Sequence, residues 1–413
     1  MGHAFAMKDL AESPALPRRS HALKAVELLT EIQTGQRPAD QILDAHFRAH
    51  REMGKRDRAA VSGLVYGVLH DVMRLQALAG AAPAAWIARH LADLGHVAEA
   101  VTVLDLPAPS DDAPVADHAR VNLPADWHAR LIAQLGEAQT TALAAALNQE
   151  APVDLRVNLL KSQRADVWVR LAAEGVASSN TPYSPWGLRL TKRLSHTASV
   201  FDAGEVEPQD EGSQLLALLV NAAAGELVVD YCAGAGGKTL AMAAMMANQG
   251  RLVACDVAAS RLAKIGPRAA SAGVGIIEIE NLSRENRLGE LRTRADAVLV
   301  DAPCSGTGTL RRAPDLRLKA VDSAALAALQ AQILADAAKL VKHGGRLIYA
   351  TCSLFAEENE TVVEAFLNAH PNFARDASAP ERLPLAAADG SLRLWPHVHG
   401  TDGFYACAML RVG

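Results

Sequence analysis

Glu226-Leu227-Val228-Val229-Asp230, followed by Gly234-Ala235-Gly236-Gly237, is the stretch that decides the fold. A short apolar run ending in a carboxylate, then a glycine turn opening a helical sequence, reads as a buried strand handing over to a helix. Further apolar runs at 251–255, 275–279, 296–301 and 345–350 alternate with helical stretches, and 391–396 and 403–411 can supply closing strands. That alternation is the signature of an α/β, doubly wound parallel sheet. Ligands of such sheets bind outside the carboxyl ends of the strands.

The glycine turn imitates two known loops and matches neither. A Walker loop needs Gly where Cys232 stands, although Gly237-Lys238-Thr239 copies its end, and a dinucleotide fingerprint needs Gly at Thr239. Such a turn alone is common in α/β proteins. Its weight comes from Asp256, which ends the next apolar run 26 residues after Asp230. A carboxylate there can accept both hydroxyls of a ribose. The pair suits an adenosyl cofactor that needs no pyrophosphate cradle.

Two more runs end in Asp301-Ala302-Pro303-Cys304-Ser305 and Thr351-Cys352-Ser353. A cysteine inside an apolar run is by default an inert, buried thiol, and Cys255 and Cys407 are read that way. Cys232 lies in the turn and can simply pack. Cys304 and Cys352 instead fall just past their strands. Ser305-Gly306-Thr307-Gly308 and Arg311-Arg312 follow Cys304, an electropositive setting expected to depress a thiol pKa. Beside Asp301, two such thiols point to covalent chemistry on a polarised substrate.

Of the 413 residues, 50% are hydrophobic, 21% charged and 4% aromatic, which allows a sizeable core and excludes global disorder. The net charge of −5 is no nucleic-acid signature, so any such contact must come from a local basic face. Five scattered cysteines without Cys-x-x-Cys argue against a disulfide framework or zinc knuckle and suit a reducing cytoplasm. His343 and His399 lie nearest the motifs, but no cluster has metal-ligand spacing, so no metal is expected. The apolar run 215–224 is too short to span a bilayer, and no membrane association is expected.

Residues 1–17 read as a frayed leader and 18–105 as an all-α domain, with Val61, Leu64, Val65, Val68, Val72 and Leu75 on one helical face. A Pro/Asp-rich linker covers 106–120. Residues 121–200 form a small α+β region, with helices near 125–148 and 165–174 and strands at 153–158 and 187–190. The sheet domain occupies 201–413. Within 156–193, Arg156, Lys161, Arg164, Arg170, Arg189, Lys192 and Arg193 face only Asp166 and Glu174. A solvated face and a phosphate-contacting patch weigh evenly there, because Trp168, Tyr183 and Trp186 are interleaved.

Taken together, 232–239 (Cys-Ala-Gly-Ala-Gly-Gly-Lys-Thr), 301–308 (Asp-Ala-Pro-Cys-Ser-Gly-Thr-Gly) and 349–353 (Tyr-Ala-Thr-Cys-Ser) resemble signatures of the Sun/nucleolar-protein family of RNA cytosine-5 methyltransferases. So do 155–161, Pro208-Gln209-Asp210-Glu211-Gly212-Ser213-Gln214, and the closing Asp402-Gly403-Phe404-Tyr405. The N-terminal helices, through Asp57-Arg58 and Val65-Tyr66-Gly67, resemble the NusB-like RNA-binding domain of the RsmB-like, 16S rRNA branch. Gly234-Ala235 stands where the family has Ala-Pro, and Ala313-Pro314-Asp315 where it has Asn-Pro-Asp. Ile279-Glu280-Asn281-Leu282 lacks the family's Asp near the adenine, leaving Glu280 or Asn281 for that contact.

The resemblance implies a Rossmann-like methyltransferase domain, S-adenosyl-L-methionine as cofactor and RNA as partner, with rRNA favoured, tRNA the runner-up and a monomeric enzyme expected. It implies catalytic roles for Cys352 (nucleophile on cytosine C6), Cys304 (release), Asp301 (the N3/N4 edge) and Lys238 (between cofactor and base). Cofactor contacts fall to Asp230, Cys232, Ala233, Gly234, Ala235, Gly236, Gly237, Lys238, Asp256, Arg261, Asn281, Asp301 and Pro303. RNA contacts fall to Arg156, Asn158, Lys161, Arg311 and Arg312. A P-loop NTPase, a DNA cytosine methyltransferase and a non-catalytic ribosome assembly factor remain alternatives at this stage.

Overall fold

A computed structural model describes residues 17–35, 37–109, 114–191, 199–284 and 288–413. Lys192 and Arg193 of the basic segment, most of the leader and linker residues 110–113 lie outside the described residues. The chain divides into two compact units: Met1–Ala151 with Thr309–Val321, and Pro152–Gly308 with Asp322–Gly413.

The first unit is helical. Helices Arg19–Thr34, Ala39–Ala49, Lys55–Leu69, Val72–Ala79 and Pro83–Asp93 bury Leu28, Ile32, Ile42, Val65, Leu69, Leu75, Trp86 and Ile87 in one core. The apolar face expected along 61–75 is buried throughout but shared by two helices. The break follows from Asn122, whose Nδ2 donates to the His70 carbonyl (2.7 Å) while its Oδ1 accepts from Met73 N (3.0 Å). A side chain inserted into the helical ladder ends it. Residues 309–321 are built into this unit: Asp315 accepts from Ala39 N, and buried Arg317 donates to Asn122 O (2.7 Å) and Asn148 Oδ1 (2.7 Å). Lys319 Nζ reaches the Ile32 carbonyl at 2.6 Å.

The second unit holds two sheets. Strands β1 (Val153–Val157), β2 (Ser178–Asn180), β3 (Gly187–Leu190) and β4 (Val206–Pro208) form an antiparallel sheet in the order β2-β3-β1-β4. It closes over helix Arg164–Ala173 through Leu155, Val157, Val167, Leu171 and Leu188. The larger sheet comprises β5 (Leu227–Asp230), β6 (Arg251–Asp256), β7 (Ile277–Asn281), β8 (Ala295–Asp301), β9 (Val341–Thr351), β10 (Phe373–Arg375), β11 (Ser391–Leu394) and β12 (Phe404–Arg411). Its order is β10-β12-β9-β8-β5-β6-β7, with β11 also on β12. Strands β9, β8, β5, β6 and β7 are parallel, and β12 runs antiparallel to β9.

Buried on both faces, the central parallel strands β5, β6 and β8 need continuous apolar runs such as Val298-Leu299-Val300, whereas edge strand β7 alternates Ile and Glu. The carboxyl ends of the five parallel strands bring Thr351, Asp301, Asp230, Asp256 and Asn281 to one edge, in that spatial order. The order in which strands are added reverses between β5 and β8, and at such a switch point a crevice is expected.

Candidate active site at the carboxyl edge of the sheet

The turn after β5 is shaped by two glycines at positive φ, Gly234 (56°) and Gly236 (85°). A Cβ on Gly236 would lie 2.9 Å from Ile265, whereas one on Gly234 would meet nothing within 4 Å, leaving open space over that backbone. Asp256 pins the turn: its Oδ2 accepts from Gly234 N (2.9 Å) and its Oδ1 from Ala258 N (2.7 Å). Asp230 Oδ2 accepts from Thr239 Oγ1 at 2.7 Å, while its buried Oδ1 has no hydrogen-bond partner. Burial, reinforced by Asp301, pushes the Asp230 pKa up to about 7. A shielded, unpartnered carboxylate oxygen beside an open glycine turn fits a cofactor carrying an ammonium and a ribose. The residues present therefore suit S-adenosyl-L-methionine.

Next along the edge, Lys238 opens the helix Gly237–Met245 and donates from Nζ to Asp301 Oδ2 at 2.6 Å. The ammonium also stands 5.7 Å from the Phe404 ring centroid. Burial works against its charge, but Asp301, Asp230 and the neighbouring Cys352 outweigh that and raise its pKa above the ordinary lysine value. Lys238 is thus a fixed cation that orients the Asp301 carboxylate.

The two thiols meet. Cys304 Sγ and Cys352 Sγ are 3.4 Å apart, both half-buried. The expected depression of the Cys304 pKa is overturned: its contact with Cys352, burial and the charge of Glu358 push it well above the ordinary thiol value. An electropositive sequence neighbourhood counts for less than the sulfur and carboxylate that surround the thiol in space. Cys255 and Cys407 are buried, as a structural reading requires, and burial raises the Cys232 thiol as well.

A close backbone crossing holds the thiol loops against the closing strand. Gly308 N donates to Cys352 O (2.8 Å) and Gly403 N to Gly308 O (2.9 Å), and a Cβ on Gly308 would lie 2.1 Å from Gly403 O. Beneath it lies a polar cluster that sequence reasoning missed. Fully buried Glu358 accepts from Ser305 N (2.9 Å), Gln330 Nε2 (3.0 Å) and Ser353 Oγ (2.6 Å). Asn359 Nδ2 donates to Ser353 O at 2.9 Å and its Oδ1 accepts from Thr351 Oγ1. In the string Glu357-Glu358-Asn359-Glu360 nothing separates the buried carboxylate from its solvated neighbours.

Among the remaining expected residues, Asn281 is half-buried opposite Asp256 across β6 and β7, with Oδ1 accepting from Ser283 N (2.8 Å). Ala233 is buried, Ala235 half-buried, and Pro303 and Arg261 are exposed.

Three of the residues expected to contact RNA are buried. Arg156 is buried, with Nη1 donating to Gln209 Oε1 (2.7 Å) and Gly237 O (2.6 Å), and burial lowers its pKa to about 10. Asn158 is buried and spends Nδ2 on the Gly204 (3.0 Å) and Ala272 (2.9 Å) carbonyls. Both spend these donors inside the fold, tying the small sheet to the helices Gly237–Met245 and Ile265–Ala272. Lys161 is exposed, with Nζ on the Ala203 carbonyl at 2.8 Å. Arg311, in the helical unit, is buried, and Arg312 there is half-buried. Trp168 stays exposed, its indole donating to Ser178 O at 3.1 Å.

Among the described residues no group of His, Cys, Asp and Glu is placed to hold a metal ion. None of the described helices is long and apolar enough to cross a membrane.

A Rossmann-like sheet with these loops on its carboxyl edge is the architecture of a methyltransferase. It aligns with the crystal structure of PH0851 over 94% of this chain and 98% of that one, with a TM-score of 0.76 at 24% identity, a likeness of fold. A methyltransferase homolog protein from Pyrococcus horikoshii aligns over 71% of this chain and 97% of that one, with a TM-score of 0.62 and 28% identity. Residues 217–410 match the family described as 16S rRNA methyltransferase RsmB/F, and residues 123–197 its ferredoxin-like domain. Through these segments the chain belongs to the RsmB/F methyltransferase family. The probable ribosomal RNA small subunit methyltransferase B of Bacillus subtilis is 39% identical over 267 residues, 63% of this chain. That match spans 60% of the Bacillus protein's own length.

Proposed function

We propose that this protein transfers a methyl group from S-adenosyl-L-methionine to C5 of a cytosine in RNA, with small-subunit rRNA as substrate. The observation that carries the reading is the pair of sulfurs 3.4 Å apart at the same strand edge as the Lys238–Asp301 pair. The family match, and the name of the Bacillus relative, support rRNA as the acceptor.

The cofactor, when bound, supplies an electrophilic methyl group. Cytosine C5 is too weak a nucleophile to take it unaided. Cys352 Sγ, as thiolate, bonds to C6, and the displaced electron pair makes C5 enamine-like, which splits one hard step into easier ones. Asp301, oriented by Lys238, hydrogen-bonds the N3/N4 edge and stabilises charge developing there. After methylation C5 still carries its proton. Cys304, in contact with Cys352, removes that proton directly or through a water once its own has passed to solvent, and the electron pair left behind expels Cys352 as thiolate. The base must be unpaired or extruded to reach the crevice. The N-terminal helices and exposed Lys161 and Trp168 are assigned to RNA binding.

The two thiols fail differently if this is correct. Cys352→Ala should be inactive and form no covalent complex. Cys304→Ala should methylate once and stall, giving a slow, RNase-sensitive band on a denaturing gel. A band with Cys352→Ala instead reverses the roles, and full activity in both variants removes the covalent mechanism. Bisulfite sequencing of total RNA from a deletion strain identifies the substrate: a cytosine lost from tRNA rather than rRNA moves the assignment, and no loss favours an assembly factor.

A further inference from the structure

Glu358 is a buried carboxylate with no basic partner among the described residues; its hydrogen-bond donors are an amide N–H, a hydroxyl and a carboxamide. A buried charge persists only where donors satisfy it. Those donors have a pattern: the amide belongs to Ser305, directly after Cys304, and the hydroxyl to Ser353, directly after Cys352. One carboxylate thereby grips the residue following each thiol. The Ser305 and Ser353 hydroxyls bond each other at 3.1 Å, and Gln330, already on Glu358, also donates to Pro303 O at 3.0 Å. We propose that Glu358 is a positioning residue that sets the separation of Cys304 and Cys352 by holding their loops together.

The two loops do not depend on it equally. Cys352 directly follows Thr351, the last residue of β9, which is paired on both sides, and its loop keeps Asn359 on Ser353 O without Glu358. Cys304 lies in an irregular loop tethered at its ends by Ala302 N on Ala350 O and Gly308 N on Cys352 O. Beside the thiol, the Pro303 carbonyl and the Ser305 amide are held by Glu358 or by Gln330 bonded to it, and among the described residues only the Ser305 hydroxyl has a further partner, Thr307 Oγ1. Losing Glu358 therefore displaces Cys304 and leaves Cys352 in place. In the cysteine roles proposed above, on which this inference rests, addition to C6 and methyl transfer persist while release slows.

The test uses the full chain, S-adenosyl-L-methionine and total RNA from a strain lacking the gene, which holds the unmodified substrate whichever RNA it is. Glu358→Gln keeps the size and one acceptor oxygen, and Ser353→Ala cuts only the hydroxyl link. Both are run beside Cys304→Ala and Cys352→Ala, with cofactor affinity and melting temperature confirming the fold. Misplacing a reacting group by about 1 Å costs on the order of 100-fold. Glu358→Gln should accordingly lose roughly 10- to 100-fold in turnover and accumulate the RNase-sensitive adduct, and Ser353→Ala should do so more weakly. A merely structural residue would lower adduct formation and turnover together. That parallel loss, or wild-type turnover, in a folded Glu358→Gln overturns the proposal when Cys304→Ala does form the adduct. Failure of Cys304→Ala to form it overturns the cysteine roles instead.

Discussion

An Asp230→Asn substitution should stabilise the cofactor-free protein at alkaline pH far more than at acidic pH. Asp230 is shut from water at the end of β5, and its folded pKa is pushed up to about 7 from an ordinary 3.8. The folded state thus holds the proton more tightly than the unfolded chain. Stability from that proton is complete below the unfolded value and is lost as pH rises, until the folded group has also ionised near pH 7. The slope is about 1.4 kcal/mol per pH unit. Between pH 5 and pH 8 the wild type should lose roughly 3 kcal/mol that the Asn variant keeps. Leaving the Asn amide nitrogen without an acceptor adds a cost that does not vary with pH, so the difference between the two conditions isolates the titration. Urea unfolding of both proteins at each pH measures it. An equal variant-minus-wild-type difference at pH 5 and pH 8 would refute the reasoning, for Asp230 would then titrate as an ordinary carboxylate. Added S-adenosyl-L-methionine should reverse part of the wild-type loss at pH 8, because its ammonium favours the ionised form.

Asp256→Ala should weaken cofactor binding by about 1.5–3 kcal/mol for each charge-assisted bond lost, with the Gly234 turn released as well; unchanged affinity by calorimetry would remove Asp256 from the site. Gly308→Ala should destabilise by about 3 kcal/mol, the upper end for overpacking, since the new methyl meets the Gly403 backbone. Gly289→Ala, with open space at its Cβ, is the control for thermal unfolding, and similar melting of the two would contradict the crossing. Arg156→Met should lower stability yet leave the salt dependence of RNA binding unchanged, whereas a slope reduced by about 1 would restore Arg156 to the phosphate-contacting surface.

What was legible in the sequence was whatever depends on local pattern. A strand covered on both faces must be apolar, so Val228-Val229 and Val298-Leu299-Val300 announced themselves, and parallel winding then placed the loops after them at one edge. Residues whose surroundings come from distant segments were not legible. Arg156 and Lys161 look alike in a basic stretch, but the Gly237 carbonyl, 81 positions away, buries the first. Glu358 hides in an acidic run, and its role depends on hydroxyls that only folding brings near. The raised Cys304 thiol is a further case, since Cys352 lies 48 residues on. Strands β4 and β10, three residues each, are too short to carry a period.

The path of residues 309–321 bears on how the chain is made. A protein emerging from the ribosome folds its N-terminal domain first when that domain's sequence is contiguous. Here the helical unit stays incomplete through its first 151 residues, because Asp315, Arg317 and Lys319 complete the hydrogen bonding of Ala39, Asn122 and Ile32. Those partners are synthesised only after β5 to β8. The helices must wait, with the Ala39 N–H and the Asn122 and Ile32 carbonyls open to water or chaperone, while half of the large sheet is translated. The segment that finishes them begins five residues after Cys304, so the helical unit and the thiol loop reach their final form in the same interval of translation.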